Sequence, residues 1–281
     1  MLKILITGVS GQLGGLMHRI FEMKHEVYGH SSSELDITNR SLLLCVIRNI
    51  KPDVILNCAS YNHVDSAEEN SLLAEEINST GVKYLAELSN IVGAKLVHIS
   101  TDYVFDGTKG IPYDENDKTN PLNVYGRTKL RGEEYVKEIC EQYIIVRTSW
   151  LYGTNKRNFV NTILTLSHNK NEILVVNDQK GNPTYAPELA MRIDKLITEG
   201  FSGLFHCSGD GICSWYEFAT SIIHFSNKQN VRILPVPSEY YPSKANRPRF
   251  SALDNSKITS SIGIKMPNWK DSLEGYLMQM R

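Results

Sequence analysis

At 281 residues, with 41% hydrophobic and 22% charged side chains, the chain has the makeup of a globular protein with room for a substantial core. A formal net charge of −1 excludes a broad basic face for nucleic acid or an anionic membrane. No apolar run approaches the roughly 18 residues a membrane span needs, and "MLKILITG" at the N-terminus has no signal-peptide core.

The five cysteines form no C-x-x-C pair, which predicts free thiols in a reducing cytoplasm. The eight histidines show no H-x-x-x-H or H-E-x-x-H spacing, so no metal site is expected. No internal repeat or low-complexity tract interrupts the chain.

In chain order, "KILIT" (3–7) reads as a buried strand and "GQLGGLMHRIFEMK" (11–24) as a helix. "EVYGH" (26–30) is a second strand, 39–50 a helix and "DVILNCA" (53–59) a third strand. Residues 71–92 have helical periodicity, "KLVHIS" (95–100) is a strand, 123–140 a helix and "YIIVRTSWLYG" (143–153) a fifth strand. Continuous apolar strands alternating with helices predict an α/β fold with a parallel sheet covered on both faces.

After Trp150 the regularity weakens. Residues 177–187 read as loop, 203–209 as a strand and 214–225 as an amphipathic helix, while prolines at 235, 237, 242 and 248 break up the stretch beyond that helix. The expected division is a dinucleotide-binding core over 1–150 and a smaller irregular C-terminal lobe over 151–281, with the chain recrossing to the sheet near 186–206.

"LITGVSGQLGG" places Gly8, Gly11 and Gly14 in a G-x-x-G-x-x-G array directly after a strand, with Gln12 and Leu13 opening a helix. Gly8 suits the tight turn, Gly11 lets a pyrophosphate approach the backbone, and Gly14 allows close helix–strand contact. The helix N-terminus then supplies amide donors to the anion. At the end of the second strand, "GHSSSELD" offers His30 and Ser31–Ser33 where an acid would hold the 2′-hydroxyl of NAD. Hydroxyls without a carboxylate there favour NADPH, with NADH as the alternative. Asp36 and Ile37 come next, either as a helix-start signal or as contacts to the adenine.

"NVYGRTKLRGEE" (123–134) sets Tyr125 and Lys129 four residues apart on a predicted helix, hence on one face. A phenol with an ordinary pKa near 10 becomes a useful proton donor at neutral pH when a nearby cation stabilises its phenolate. Arg127, between them, is expected to point to solvent.

The spacing of "TGVSGQLG", "LDIT", "PDVILNCASYNHVDSAE", "STDYVFDG", "YGRTKLRGE", "RTSWLYG", "DQKGNPT" and "RPRFSALD" resembles the dTDP-4-dehydrorhamnose reductases, which are extended short-chain dehydrogenase/reductases. The resemblance runs from residue 2 to about 254 and implies a Rossmann-type doubly wound parallel sheet with a smaller C-terminal lobe that seats the nucleotide-sugar. It implies hydride transfer from a reduced nicotinamide to the C4 ketone of a 4-keto-6-deoxy nucleotide sugar, with Thr101, Tyr125 and Lys129 as the catalytic set. It further implies that Lys129 bonds the nicotinamide ribose and that Ser60, Tyr61 and Asn62 border the cofactor. Ser100 and Asp102 are implied to approach the sugar or tune the proton donor, Asp102 alternatively capping the next turn. Trp150 is implied as a wall and hydrogen-bond donor for the sugar or else belongs to the core, and Arg247 is implied at the diphosphate or else in a surface salt bridge. Asn62 and His63 stand where smaller residues or threonine are usual in the family, which leaves the particular sugar open. Leu16 replaces a glutamate that in some relatives binds magnesium between subunits, so a monomer or a homodimer without that metal is expected. Other readings are a reductase of a different 4-keto-6-deoxy nucleotide sugar, a nucleotide-sugar epimerase or dehydratase, and a non-catalytic dinucleotide-binding subunit like the regulatory subunit of methionine adenosyltransferase.

Overall fold

Six strands pair in parallel at the centre of the molecule. In the computed structural model, which describes residues 1–153, 157–228, 230–241 and 243–280, the first half runs β1 (Lys3–Thr7), α1 (Gln12–Phe21), β2 (Glu26–His30), α2 (Arg40–Ile50) and β3 (Val54–Asn57). It continues through α3 (Val64–Glu69), α4 (Ser71–Glu75), a π-helical turn (Glu76–Thr80), α5 (Gly81–Val92), β4 (Lys95–Thr101), α6 (Val124–Ile139) and β5 (Tyr143–Thr148).

The sheet order is β10-β5-β4-β3-β1-β2, where β10 is Gly203–His206. The strand order reverses at β1, which pairs with β2 on one side and β3 on the other. Ligands of open α/β sheets gather beyond the carboxyl ends of the strands at such a point. The strands read as apolar runs because both faces are covered. One core joins Ile4, Ile6, Leu56, Val97 and Val146 to α1. The other joins Leu5, Ile55, Leu96 and Ile145 to α2 and α5.

Two predicted elements are divided. The helical periodicity of 71–92 holds, but a π turn interrupts it, and the buried Asn78 on that turn carries several side-chain bonds. The fifth strand ends at Thr148, because Trp150 takes a left-handed backbone with φ +46°. Leu151–Tyr152 (β6) then leaves the sheet and pairs in parallel with Thr184–Tyr185 (β9).

The rest of the chain builds a second hydrophobic core and, with two of its helices, also covers the large sheet. It contains α7 (Phe159–Asn169), β7 (Glu172–Val176), β8 (Lys180–Gly181), α8 (Ala186–Thr198), β11 (Cys213–Ser214), α9 (Trp215–Phe225), β12 (Arg232–Val236), α10 (Ser256–Ile262) and α11 (Trp269–Gln279). Strands β7 and β12 pair in parallel, and an aromatic core around Tyr152, Phe218, Trp269 and Tyr276 joins them to α7, α9 and α11. Helix α8 packs on α1, and β10 completes the large sheet beside β5. Among the predicted loop prolines, Pro242 lies outside the described residues. Among the described residues, no helix is long and apolar enough to cross a membrane.

Candidate active site

A cleft of about 450 Å³ opens along the carboxyl ends of β1, β3, β4 and β5. The loop after β1 forms its floor. Gly8 has φ +74°, and a Cβ there would stand 2.7 Å from the Ala59 nitrogen, so β1 turns into α1 against the end of β3 only with glycine at this point. Gly14 lies equally close to the Gly8 carbonyl, where a Cβ would stand 2.4 Å away. Gly8, Gly11, Gln12 and Leu13 line the cleft, whereas Gly14 sits behind it against the loop. The first-turn amides of α1, which a helix cannot satisfy internally, are thus set at the cleft floor as an anion cradle.

Asp36 and Ile37 reach the same cleft beside Ser32. Asp36 Oδ1 accepts from the Thr38 amide at 2.9 Å, while the cap of α2 is Asn39, whose side chain accepts from the Leu42 amide. Asp36 therefore shapes the turn without starting the helix. Ser31 is turned back on its own loop, its hydroxyl donating to Glu34 at 2.7 Å.

Ser60, Tyr61 and Asn62 form the next wall. Their position is set by a residue the sequence reading passed over. The Asn78 carbonyl oxygen accepts from the Ser60 hydroxyl at 3.0 Å and the Tyr61 amide at 2.8 Å. Its amide group donates to the Tyr61 carbonyl at 3.0 Å and the Thr128 hydroxyl at 3.1 Å. One buried amide thereby ties the end of β3 to α6, and nothing in "EINST" announces it.

Helix α6 starts where Asn123 accepts from the Gly126 amide at 2.8 Å. From that start Tyr125 and Lys129 face the cleft and Arg127 is exposed, as their spacing requires. The electrostatics differ from expectation. Burial pushes the Tyr125 phenol up to about 12, with a hydrogen bond to Thr101 opposing and the charge of Asp102 adding to the rise. Lys129 is engaged at the edge of β4 in this state. Its ammonium nitrogen is drawn to the strand edge, donating to the Ile99 carbonyl at 2.5 Å and standing 3.3 Å from His98 Nε2. Burial lowers Lys129 to about 8, the nearby Glu133 and Cys58 opposing.

Thr101, last in β4, donates to Asp102 Oδ1 at 3.1 Å and accepts from the Tyr103 amide at 3.2 Å. Asp102 also accepts from Ser251 at 2.5 Å, a partner the sequence reading did not single out. Burial raises the Asp102 carboxyl to about 7, against the pull of the Ser251 and Thr101 hydroxyls. Ser100 borders the cleft, but its hydroxyl donates to Glu133 at 2.6 Å.

Trp150 lines the far side, its ring stacked on Trp215 at 3.4 Å between centroids. Arg247 is not part of this cleft. It pairs with Asp65 through its Nη1 and Nη2, at 3.2 and 2.6 Å, and lines a neighbouring cavity of about 610 Å³ with Trp215, Phe159 and Tyr241. In this state the salt bridge, the plainer of its two expected roles, is the one it makes.

The residues fit a dinucleotide. A glycine cradle at a helix N-terminus, a cleft at the strand-order reversal and a half-buried tyrosine beside a buried lysine at its far end are the parts such a cofactor occupies. Fold and site together define an extended short-chain dehydrogenase/reductase, a class of nicotinamide-dependent oxidoreductases.

Comparison with known proteins narrows this. The chain matches the family described as RmlD substrate binding domain over residues 2–281, and it belongs to that family. It is 39% identical to the spore coat polysaccharide biosynthesis protein SpsK of Bacillus subtilis, over 99% of this chain and 98% of that protein. It is 38% identical to a dTDP-4-dehydrorhamnose reductase of Aggregatibacter actinomycetemcomitans, over 98% of each. Its structure superposes on the dTDP-4-dehydrorhamnose reductase of Bacillus anthracis in complex with NADP, with TM-score 0.96, 41% identity and 99% of each chain covered.

Proposed function

We infer that the chain is a dTDP-4-dehydrorhamnose reductase, reducing the C4 ketone of dTDP-4-dehydro-L-rhamnose with NADPH. The observation that carries this reading is the meeting of Thr101, Tyr125 and Lys129 at the end of a glycine-floored cleft, in a family whose curated relatives bear that name. When bound, the nicotinamide supplies the hydride.

The protein's own groups handle the rest. Gly11, Gln12 and Leu13 hold the pyrophosphate at the α1 N-terminus. Asp36, Ile37, Ser60, Tyr61 and Asn62 enclose the nucleoside ends. The Thr101 hydroxyl orients the ketone oxygen, and Tyr125 gives its proton to that oxygen as negative charge develops. Lys129 then stands beside the phenolate that remains, and its charge is what makes the transfer favourable at neutral pH. Trp150 walls the sugar. The neighbouring cavity, with its aromatic side chains and Arg247, accommodates the nucleotide half of the substrate. There the guanidinium exchanges Asp65 for phosphate oxygens in the same two-pronged geometry. Residues 1–150 serve the cofactor and 151–281 mainly the substrate, and five free cysteines suit action in the cytoplasm.

Cofactor oxidation by purified protein on dTDP-4-keto-rhamnose, with NADPH and NADH side by side, tests this. Turnover is expected, faster with NADPH, and its absence with both cofactors removes the assignment. A second reading, reduction of a different 4-keto-6-deoxy nucleotide sugar, draws on Asn62 at the cleft wall. It also draws on 37% identity to a dTDP-4-keto-6-deoxy-D-glucose reductase of Streptomyces niveus. A panel of such sugars separates the two.

A further inference from the structure

Behind the cleft, a line of buried polar side chains crosses three strands and ends on Lys129. Thr7 on β1 donates to Asn57 Oδ1 at 2.7 Å, and Asn57 Nδ2 lies 3.1 Å from His98 Nδ1. His98 Nε2 lies 3.3 Å from Lys129 Nζ. All four side chains are buried.

The proton positions in this line are fixed by elimination. The Asn57 oxygen also accepts from the Ala59 amide at 3.1 Å. A backbone amide is only a donor, so the Asn57 side chain cannot be flipped, and its NH₂ group faces His98. His98 Nδ1 must therefore accept. A neutral imidazole carries one proton, which then sits on Nε2 and points at Lys129. An ammonium has three donors and no acceptor, so a protonated Lys129 meets this N–H donor to donor, whereas the free amine receives it on its lone pair. The Ile99 carbonyl accepts one N–H of either form.

A second buried histidine shows the opposite arrangement. His206 Nδ1 faces the Tyr113 carbonyl at 2.9 Å and so bears the proton, leaving Nε2 free to accept from Arg147 at 3.3 Å. There the imidazole supports its cation. At Lys129 it opposes it.

We propose that Asn57 and His98 are positioning residues that lower the proton affinity of Lys129, the His98 N–H holding the lysine ready to exchange its proton near neutral pH. Other groups face Lys129 as well. Glu133 lies one turn along α6, engaged by Arg147. Tyr125 lies one turn before it, Asp102 comes directly after β4, and Cys58 at the end of β3 has a thiol pushed by burial up to about 12 and hence uncharged. Burial alone also lowers a lysine, so the test must separate it from the imidazole.

These roles rest on the reductase reading, but their readout needs no substrate. The Lys129 midpoint is followed by NMR of ¹³C-lysine-labelled protein, with Lys129→Met identifying the resonance. In the wild type it is expected well below the ordinary value of about 10.4. His98→Phe keeps the site dry while removing the N–H, and the midpoint is expected to rise by about one unit or more. Asn57→Asp accepts a proton from His98 Nδ1, reverses the tautomer and is expected to raise it likewise. In an active enzyme the alkaline limb of kcat/KM moves up with it, giving roughly fivefold more relative activity at pH 9 for a one-unit shift. A midpoint that stays or falls in His98→Phe overturns the proposal, because burial then accounts for Lys129 alone. Should neither variant fold, ¹⁵N NMR of the wild-type imidazole decides: a proton on Nε2 of His98 supports it and a proton on Nδ1 overturns it. A protein inactive on every keto sugar yet showing the shifts loses the functional reading and keeps this one.

Discussion

Glu133 and Arg147 form a two-pronged ion pair in the interior, Nε to Oε1 at 2.8 Å and Nη2 to Oε2 at 2.6 Å, both side chains essentially without solvent contact. Burial is the largest single influence on the Glu133 carboxyl and raises it, but the Arg147 charge and hydrogen bonds, with Lys137 and the Ser100 hydroxyl, together outweigh it and hold the group below the usual glutamate range. Breaking one side leaves an uncompensated buried charge. Arg147→Met is therefore expected to cost about 3–5 kcal/mol in denaturant unfolding at pH 7. Arg147→Met with Glu133→Gln is expected to cost less. A group depressed on folding contributes stability that is complete above its unfolded value, about 4.3, and is lost as pH falls through the lower folded value. The pair should therefore fail only in acid, below about pH 4. Wild-type stability declining already from pH 7 to 5 on its account contradicts this.

Asp102 gives the opposite sign. Its carboxyl, raised to about 7 by burial against the Ser251 and Thr101 hydroxyls, favours the protonated form in the folded state. The contribution is complete below the unfolded value near 3.9 and is lost as pH rises to about 7. Asp102→Asn should therefore gain on the wild type by about 2–3 kcal/mol between pH 5 and pH 8. Urea midpoints of both proteins at the two pH values measure this, and a difference independent of pH refutes it.

Tyr125→Phe is expected to reduce kcat by a factor of about 10²–10⁴, with cofactor affinity changed by less than a few-fold. Stopped-flow hydride transfer and a separate cofactor titration distinguish lost proton donation from lost binding. Equal rates for the variant and the wild type remove Tyr125 as the donor.

The parts legible in the sequence obey local rules. The β–α alternation, the glycine turn and the four-residue spacing of Tyr125 and Lys129 are set by periodicity and steric demands that act over a few residues. Three-dimensional partners were not legible. The environment of Lys129 on α6 comes from Asn57 and His98 on two strands of the sheet, and Asp102 is completed by Ser251, 149 residues away. The π turn at Asn78 and the left-handed Trp150 are tertiary outcomes as well: side-chain bonds hold the first, and Trp150 stacks on Trp215. Helix α8 begins at Ala186 with Pro187, where a proline suits a helix start, so its first turn overlaps the end of the stretch 177–187 whose polar, glycine- and proline-containing sequence reads as loop. The seven-residue α10 is too short for periodicity to register.

Arg247 and the cleft residues should separate kinetically, since Arg247 lies outside the cofactor cleft and beside the second cavity. Arg247→Ala is expected to raise KM for the nucleotide sugar by about 10–100-fold, the value of a charge-assisted hydrogen bond or two. The dissociation constant for NADPH should not move. A variant that loses NADPH affinity while keeping its KM for sugar rules out the diphosphate role.

Gly132 bears on the cofactor from a distance. A Cβ there would stand 2.3 Å from the Asn78 carbonyl oxygen, so α6 approaches the π turn as closely as it does only because residue 132 has no side chain. A backbone oxygen cannot swing aside as a flexible side chain can, and Gly132→Ala must push the turn away from α6. The turn carries Asn78, whose amide fixes both Ser60 and Tyr61 at the cleft wall. Loss of stability by about 1–3 kcal/mol is expected from the forced contact. Weaker cofactor binding should accompany it, with the four-residue spacing of Tyr125 and Lys129 intact. Asn78→Ala removes the same anchor without the clash, so it should reproduce the loss of affinity. Calorimetric titration of both variants with NADPH checks the link. If Gly132→Ala is destabilised while Asn78→Ala binds as the wild type does, Asn78 holds the fold and not the cofactor wall.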